Sequence, residues 1–202
     1  MSETKINEAK IRQAKVSRRT LETEIELSLR LEGSGDIKIA TGIGFFDHML
    51  KAMTFYAGFD LELACQGDLY VDSHHTVEDI GLALGGAIKE ALGDKLGIRR
   101  FASTHTPMDE SLALVAIDIS NRPFLVENLS FRSDRLGTMN TEDFKEFFRA
   151  LAFSAGFTLH IDLLRGENDH HKAEAVFKGL GRALREAVKI DGLGIVSTKG
   201  VL

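Results

Sequence analysis

The 202-residue chain lacks most features of secreted, membrane-spanning or nucleic-acid-binding proteins. Its single cysteine, Cys65, excludes a disulfide within the chain and fits a reducing compartment. No apolar run approaches the roughly 18 residues of a membrane-spanning helix, and the polar opening segment 1–15 has no signal-peptide core. The formal net charge is -5, and no stripe of Lys and Arg alternates with aromatic residues. We therefore expect a cytoplasmic protein that binds neither membranes nor nucleic acid.

A histidine-rich motif is present in two copies. The first occupies 73–78 (SHHTVE), and the second, 169–174 (DHHKAE), begins 96 positions later. Each opens an apolar-periodic stretch and is therefore predicted to form the first turn of a helix. On a helix, His74 and Glu78 lie on one face, whereas the ring of His75 points about 100° away. Because adjacent rings cannot easily serve one ion, each motif is expected to supply ligands to two different metal ions.

The repeat extends over most of the chain. Helical patterns at 46–56 and 142–154 are each followed by an Ala-Gly-Phe element, an alternating strand-like segment and then the motif helix, which ends near 92 in the first half and near 189 in the second. Further strands are predicted at 22–31, 36–40, 60–65, 111–119, 123–127 and 158–163. The pattern predicts an α+β fold of two fused, internally duplicated halves, each a small sheet with two helices. We expect one compact domain, 1–202, with repeats at about 15–95 and 108–190.

Alignment of the two halves adds one metal ligand to each half. His48 lies 11 residues before Phe59 in the first Ala-Gly-Phe element, and Glu146 lies 11 residues before Phe157 in the second. Imidazole and carboxylate are both donors for a divalent ion. One symmetric arrangement gives the first metal His74, Glu78, Glu146 and His171, and the second metal His48, His75, His170 and Glu174. Each ion would keep about two open positions, as metal catalysis requires.

Several motifs together resemble those of the imidazoleglycerol-phosphate dehydratase family, from about Arg18 to the C-terminus. They are GIGFFDHML at 42–50, DSHHTVEDIG at 72–81, PMDE at 107–110, NRP at 121–123, LHI at 159–161, DHHKAEA at 169–175 and STKG at 197–200. The resemblance implies ribosomal S5 domain 2-like halves and two manganese ions (Mn2+) per active site. It also implies a shell of 24 chains, with active sites between subunits. Glu146 departs from the family pattern, because many members carry His there.

The reaction that the resemblance implies is the loss of water from a small phosphorylated imidazole diol, giving imidazole acetol phosphate in histidine biosynthesis. Direct removal of a proton from an unactivated carbon would be very slow. Metal ions acting as Lewis acids would stabilise an imidazolate, which expels the hydroxyl to form a diazafulvene-like intermediate. A carboxylate then takes the neighbouring proton. Glu22 matches a substrate-contacting family glutamate and is the first candidate; Glu78 and Glu174 are alternatives if either leaves its metal.

The phosphate of such a substrate requires cationic partners. Arg100, Arg122 and Lys199 match the family's phosphate pocket, and an arginine offers a planar pair of donors to phosphate oxygens. Ser197 and Thr198 add hydroxyl and backbone donors. These five residues are the expected substrate-binding set, together with Glu22.

Two histidines fall outside the symmetric ligand set. His105 lies in a Ser/Thr-rich segment predicted to be a loop, and His160 lies on a predicted strand. Both are expected to be structural or to hydrogen-bond a metal-binding side chain without contacting the metal.

The residues alone leave two alternative functions open. A di-metal hydrolase or oxidase would also use histidine and carboxylate clusters, and product analysis would separate it from a dehydratase. A metal-organised shell without catalysis would assemble in a metal-dependent way but would not turn over the diol. The basic candidates together with Glu22 favour the enzyme.

Overall fold

The computed structural model describes residues 11–192 and 194–202. Residues 1–10, which carry most of the polar segment discussed above, lie outside the described residues, as does Leu193. The strands are β1 (Gln13–Arg19), β2 (Thr23–Arg30), β3 (Ile37–Ala40), β4 (Asp60–Gly67), β5 (Phe101–Met108), β6 (Ser111–Ile119), β7 (Phe124–Asn128), β8 (Arg135–Leu136), β9 (Met139–Asn140) and β10 (Phe157–Arg165). The helices are α1 (Gly44–Ala57), α2 (His74–Leu92), α3 (Asp143–Ala155) and α4 (Asp169–Ala187). None of these helices is both long enough and apolar enough to cross a membrane.

Two four-stranded sheets have the same order and directions. The first runs β1-β2-β4-β3 and the second β5-β6-β10-β7. In each sheet the first three strands are antiparallel and the last strand is parallel to its neighbour. Each half also supplies two helices, so the predicted duplication of a sheet with two helices is confirmed. The second half also contains the short β8–β9 hairpin, which precedes α3. In the described part of the first half there is no equivalent hairpin.

The helices of one half pack on the helices of the other. α1 contacts α4, α2 contacts α3, and α2 and α4 also cover their own sheets. Glycines permit the close approach: a Cβ on Gly85 would lie 2.6 Å from the carbonyl oxygen of Leu151, and one on Gly181 would lie 2.2 Å from that of Met53. The buried apolar residues of both halves form one continuous core. The chain is therefore one compact unit, as the sequence predicts.

Local sequence fixes where the helices that carry the motifs begin and end. Gly58 and Gly156, the glycines of the Ala-Gly-Phe elements, end α1 and α3 with φ of 70° and 76°, a left-handed backbone that glycine adopts without strain. Asn168 caps α4 by accepting hydrogen bonds from the backbone N–H groups of His170 and His171. The second motif is thereby fixed at the first turn of its helix.

Four of the ten described strands were missed by the sequence pattern: β1, β5 and the two-residue strands β8 and β9. β1 and β5 each form one edge of their sheet, and their side chains are largely exposed and polar. His105 lies on β5, so the prediction of a loop there is wrong, whereas His160 lies on β10 as predicted. The second sheet begins at Phe101, seven residues before the expected repeat boundary at about 108.

Candidate active site

Three predicted ligands from two helices converge in what we call the second group: His48 on α1, with His170 and Glu174 on α4. The Nε2 atoms of the two histidines are 3.3 Å apart, and they lie 3.5 Å and 3.3 Å from Glu174 Oε2. All three donor atoms lie within 4.8 Å of one another, which is the spacing of a metal-binding set. Phe45 packs edge-on against both imidazole rings. The group fits a divalent ion held by two nitrogens and one oxygen.

A lysine acts on the carboxylate of the second group. Lys178 Nζ lies 2.7 Å from Glu174 Oε1, the oxygen that does not face the histidines. Burial alone would raise the pKa of Glu174, but Lys178, together with His48 and His170, holds that pKa below its ordinary value. Glu174 therefore stays ionised, as a metal ligand must.

The first group consists of His74 and Glu78 on α2 and Glu146 on α3. His74 Nε2 lies 3.9 Å from Glu78 Oε2. The guanidinium of Arg149 joins the two carboxylates, with Nη2 donating to Glu78 Oε1 at 2.9 Å and to Glu146 Oε2 at 2.6 Å. His74 and Glu146 also line one cavity of about 550 Å³. Among the described residues only the second group brings three donor atoms within 4.8 Å of one another, so the first group has two carboxylates and an imidazole in the same region without that spacing.

A buried carboxylate lies behind His74. Asp143, at the start of α3, is fully buried, and its Oδ1 lies 3.6 Å from His74 Nδ1. Its Oδ2 accepts a hydrogen bond from Ser73 Oγ. Burial raises the pKa of Asp143, and the Ser73 hydrogen bond opposes that rise.

The ring of His75 is held by carboxylates of its own half. Its Nδ1 lies 3.0 Å from Asp68 Oδ2, and its Nε2 lies 3.7 Å from Glu22 Oε1 on the β1–β2 turn. The hydrogen bond with Asp68 raises the pKa of His75, and the Glu22 charge adds to the rise.

His171 has the same kind of environment in the second half. Its Nδ1 lies 2.7 Å from Glu110 Oε2, and its Nε2 lies 3.7 Å from Asp109 Oδ2, both on the β5–β6 turn. The hydrogen bond with Glu110 raises the pKa of His171 and holds that of Glu110 well below its ordinary value. The structure thus brings together three of the four residues expected for the second metal. Of those expected for the first metal, His74 lies beside Glu78, and Arg149 links Glu78 to Glu146. His75 and His171 lie beside other carboxylates.

The arginine candidates for phosphate binding meet at a shared aspartate. Arg100 is 8% exposed and forms a two-point pair with Asp118, at 2.7 Å and 3.1 Å, while its Nη1 donates to the backbone oxygen of Val196 at 2.5 Å. Arg122 is exposed and its Nη2 lies 3.4 Å from Asp118. Two guanidinium groups against one carboxylate leave a net positive charge.

The C-terminal candidates follow directly after the contact with Arg100. Ser197 Oγ accepts a hydrogen bond from the backbone N–H of Lys199 at 3.2 Å, and the side chains of Thr198 and Lys199 are exposed. Ser197, Thr198 and Lys199 are thereby carried to the vicinity of the arginine pair.

The phosphate candidates and the second motif lie at opposite ends of α4. The backbone N–H of Arg100 donates to the oxygen of Ala187, the last residue of that helix, whereas His171 lies in its first turn. At 1.5 Å per residue, about 24 Å of helix separates the two ends. A small substrate cannot reach both ends within one chain.

Sequence reasoning missed the carboxylates that surround the histidines and arginines. They are Asp68, Asp109, Glu110, Asp118 and Asp143. One signal was available, because Glu22 and Glu110 occupy equivalent turns between the first two strands of each sheet. The others reach their partners from segments for which no spacing rule exists.

Histidine–carboxylate groups on the helices of a duplicated α+β fold define a metal-dependent enzyme. The sequence model of imidazoleglycerol-phosphate dehydratase matches residues 41–184, and the chain belongs to that family. The imidazoleglycerol-phosphate dehydratase of Clostridioides difficile strain 630 is 58% identical over 188 residues, which cover 93% of this chain and 98% of the relative.

Solved structures of the family share the fold. The imidazoleglycerol-phosphate dehydratase of Staphylococcus aureus N315 superposes with a TM-score of 0.81 at 40% identity, covering 89% of this chain and 99% of the other. The enzyme from Pyrococcus furiosus, solved with the compound (S)-C348, gives 0.81 at 42% identity, covering 93% and 100%. These findings confirm the fold class and the enzyme family, and they leave no support for a di-metal hydrolase, an oxidase or a non-catalytic shell.

Proposed function

We propose that the chain is a lyase of histidine biosynthesis that dehydrates D-erythro-imidazole glycerol phosphate to imidazole acetol phosphate. Family membership supports the reaction, and the convergence of His48, His170 and Glu174 is the observation that carries the role of the site. A small anionic substrate suits the cluster of Arg100 and Arg122. We further propose that the enzyme acts in the cytoplasm.

We propose two manganese ions per active site, a proposal supported by the donor atoms of the second group. The second group would hold one ion and the first group, with its two carboxylates, the other; His75 and His171 would complete the sets. Carboxylate oxygens and imidazole nitrogens suit manganese, and neither group contains a thiolate that would select a softer ion. When bound, the ions would supply Lewis acidity that lowers the energy of negative charge on the substrate's imidazole ring.

Glu22 is the carboxylate best placed to move the proton. Its side chain is half-exposed on the β1–β2 turn, 3.7 Å from His75 Nε2, where a bound substrate could reach it. The two alternatives are held by cations: Glu78 pairs with Arg149, and Glu174 pairs with Lys178. A carboxylate that is paired with a cation is a weaker proton acceptor than one that has no such partner.

The active site is proposed to lie between subunits of a 24-chain shell. The helix length that separates His171 from Arg100 supports this, because one substrate must contact both metal ligands and phosphate cations. The rings of His75 and His171, turned away from the first and second groups of their own chain, are available to a neighbour. Chelation by EDTA should therefore release smaller oligomers, and manganese should restore the large particle, as measured by size-exclusion chromatography with light scattering. A monomer that is fully active in manganese would contradict the shared site.

Phosphate binding is proposed to divide between one buried cation and two exposed cations. Arg100 is buried and paired with Asp118, so it shapes the pocket, whereas Arg122 and Lys199 are exposed and can close on an incoming anion. Ser197 and Thr198 would add hydroxyl and backbone donors beside them.

The direct test is anaerobic incubation with manganese and the phosphorylated diol, followed by detection of the ketone. Lys199→Ala should raise KM about 10–100-fold, since binding at the remote phosphate contributes to both binding and orientation. Lys38→Ala, an exposed lysine on β3, is the matched control and should leave KM unchanged. Absence of ketone formation would refute the proposed reaction, and equal kcat/KM for phosphorylated and unphosphorylated diols would refute the pocket.

A further inference from the structure

We infer that Asp143 is a positioning residue that orients His74 for metal binding, with Nδ1 carrying the ring hydrogen and Nε2 free to coordinate. The inference rests on the proposed metal role of the first group. Asp143 lies outside the predicted ligand set, and its loss is expected to change the affinity for only one of the two ions.

The carboxylate of Asp143 has one oxygen without a hydrogen-bond partner. Among the described residues, Asp143 is fully buried, and its Oδ1 is a buried oxygen that accepts no hydrogen bond. A buried unpaired carboxylate oxygen is unfavourable. The polar atom that faces it is His74 Nδ1, 3.6 Å away. A small movement of the ring would therefore complete a hydrogen bond from Nδ1–H to Oδ1.

The other oxygen is fixed, so the carboxylate cannot turn away. Ser73 Oγ donates to Asp143 Oδ2 and accepts from the backbone N–H of Asn140 at 3.1 Å. Ser73 immediately precedes His74, and Asp143 is the first residue of α3. The chain of contacts thus ties the start of α2 to the start of α3 and aims Oδ1 at the imidazole.

The chemistry follows from the two nitrogens of imidazole. A neutral ring carries one N–H and one lone pair, and a carboxylate beside Nδ1 favours the form in which Nδ1 bears the hydrogen. The lone pair then belongs to Nε2, the atom that faces Glu78. A carboxylate behind a histidine also makes the ligand nitrogen more basic and fixes the plane of the ring.

The equivalent histidine of the second half has a different support. His170 takes the place of His74 in the second motif, and its ring packs edge-on against Phe45 with centroids 5.1 Å apart. Position 169, equivalent to Ser73, is Asp169, whose carboxylate accepts from the backbone N–H groups of Arg132 and Ser133 and from Lys172. Loss of Asp143 should therefore weaken the binding of one ion and leave the binding of the other unchanged.

The experiment counts manganese bound per chain from the electron paramagnetic resonance signal of free Mn2+. Asp143→Asn retains the side-chain volume and a neutral oxygen, whereas Asp143→Ala removes both. We expect about 10–100-fold weaker binding of one ion in Asp143→Ala, an intermediate loss in Asp143→Asn, and wild-type affinity for the second ion in both. Asp60→Asn is the control, because Asp60 pairs with Arg30 and backbone amides and contacts no histidine.

Thermal melting separates positioning from simple structural support. A purely structural Asp143 would lower Tm without a selective change in metal affinity, as expected for Asp60→Asn. Wild-type affinity for both ions in Asp143→Asn, with His74→Ala losing one ion, would overturn the inference and leave the metal site standing. Two ions retained in His74→Ala would overturn the proposed metal site and this inference with it.

Discussion

The two halves share one fold but hold their histidines differently. In the second group two imidazoles meet one carboxylate, and a phenylalanine packs against both rings. In the first group the imidazole of His74 faces Glu78, Arg149 joins the carboxylates of Glu78 and Glu146, and Asp143 lies behind the ring. The duplicated scaffold places the candidate ligands at equivalent positions in the two halves. The residues around them determine the net charge of each group. We therefore expect two ions with unequal affinities.

The cations near the two groups add to the expected difference in metal affinity. Arg149 pairs with both carboxylates of the first group, so an ion bound there must compete with the guanidinium. Lys178 pairs only with the outer oxygen of Glu174 and leaves the oxygen that faces the histidines accessible. The second group should therefore fill first in a manganese titration.

The largest effect should come from removing one imidazole from each group. His74→Ala and His170→Ala should each lose one manganese ion and about 1000-fold or more in kcat, because each deletes a direct ligand of a catalytic metal. His160→Ala, an exposed histidine on β10, should keep both ions and near-normal turnover. Metal analysis with steady-state kinetics decides the matter, and two ions in either ligand variant would end the two-group description.

The next largest effect concerns the helix pairs that join the halves. Gly181→Ala should destabilise the fold by about 1–3 kcal/mol and Gly85→Ala by less, because the new methyl group meets backbone that cannot easily move. Urea unfolding of the metal-free protein measures the difference. Gly44→Ala, with open space around its Cβ position, is the matched control. Unchanged urea midpoints in both Gly181→Ala and Gly85→Ala would show that the helix pairs have room for an added methyl group.

A smaller effect should follow from making the two groups alike. Glu146→His would give the first group the donor that His48 gives the second and would release Arg149 from one partner. We expect the preference of that site to move from manganese towards zinc or cobalt, with about a tenfold change in manganese affinity. Competition titrations measure it, with Glu90→His at the far end of α2 as the control. An unaltered preference would exclude Glu146 from the ligand set.

The smallest effect is on stability in the metal-free protein as a function of pH. Asp68 raises the pKa of His75, and Glu110 raises that of His171. Because the pKa is raised in the folded state, the protonated ring stabilises the fold. This contribution is fully present at pH values below the histidine's unfolded-state pKa of about 6.5, and it disappears as the pH rises through the folded-state pKa. Glu110→Gln should therefore lower Tm at pH 6 more than at pH 9, and Asp68→Asn should do the same. An equal loss at both pH values would contradict the assigned pairs.

The sequence predicted the motif helices and most strands, including the edge strands β3 and β7, but missed the edge strands β1 and β5. The motif helices carry their own signals, an apolar period and, for α4, the Asn168 cap. β1 and β5 lack such signals, because their outward residues are polar and their extended shape depends on pairing with β2 and β6. Strands fixed by a partner cannot be recognised from their own residues.

The site shows the same division between local and distant information. His48 and Glu146 could be proposed as ligands because the duplication repeats their spacing. Asp143 could not, since it reaches His74 across 69 positions of chain, and only the packing of α3 on α2 brings the two together. The ion pair of Arg100, which immediately precedes β5, with Asp118 on β6 likewise depends on the pairing of these two strands.

The packing of α1 on α4 and of α2 on α3 bears on how the two groups became different. An unfused half would leave the helix face around Gly85 or Gly181 uncovered, and a second identical half would cover it as a symmetric dimer. In such a dimer every ligand would have an identical twin, so His at one position and Glu at its counterpart could not coexist. Covalent fusion breaks that symmetry and keeps the partners at a high effective concentration. One chain can therefore encode two unequal groups of candidate metal ligands, each of which mutation can change separately.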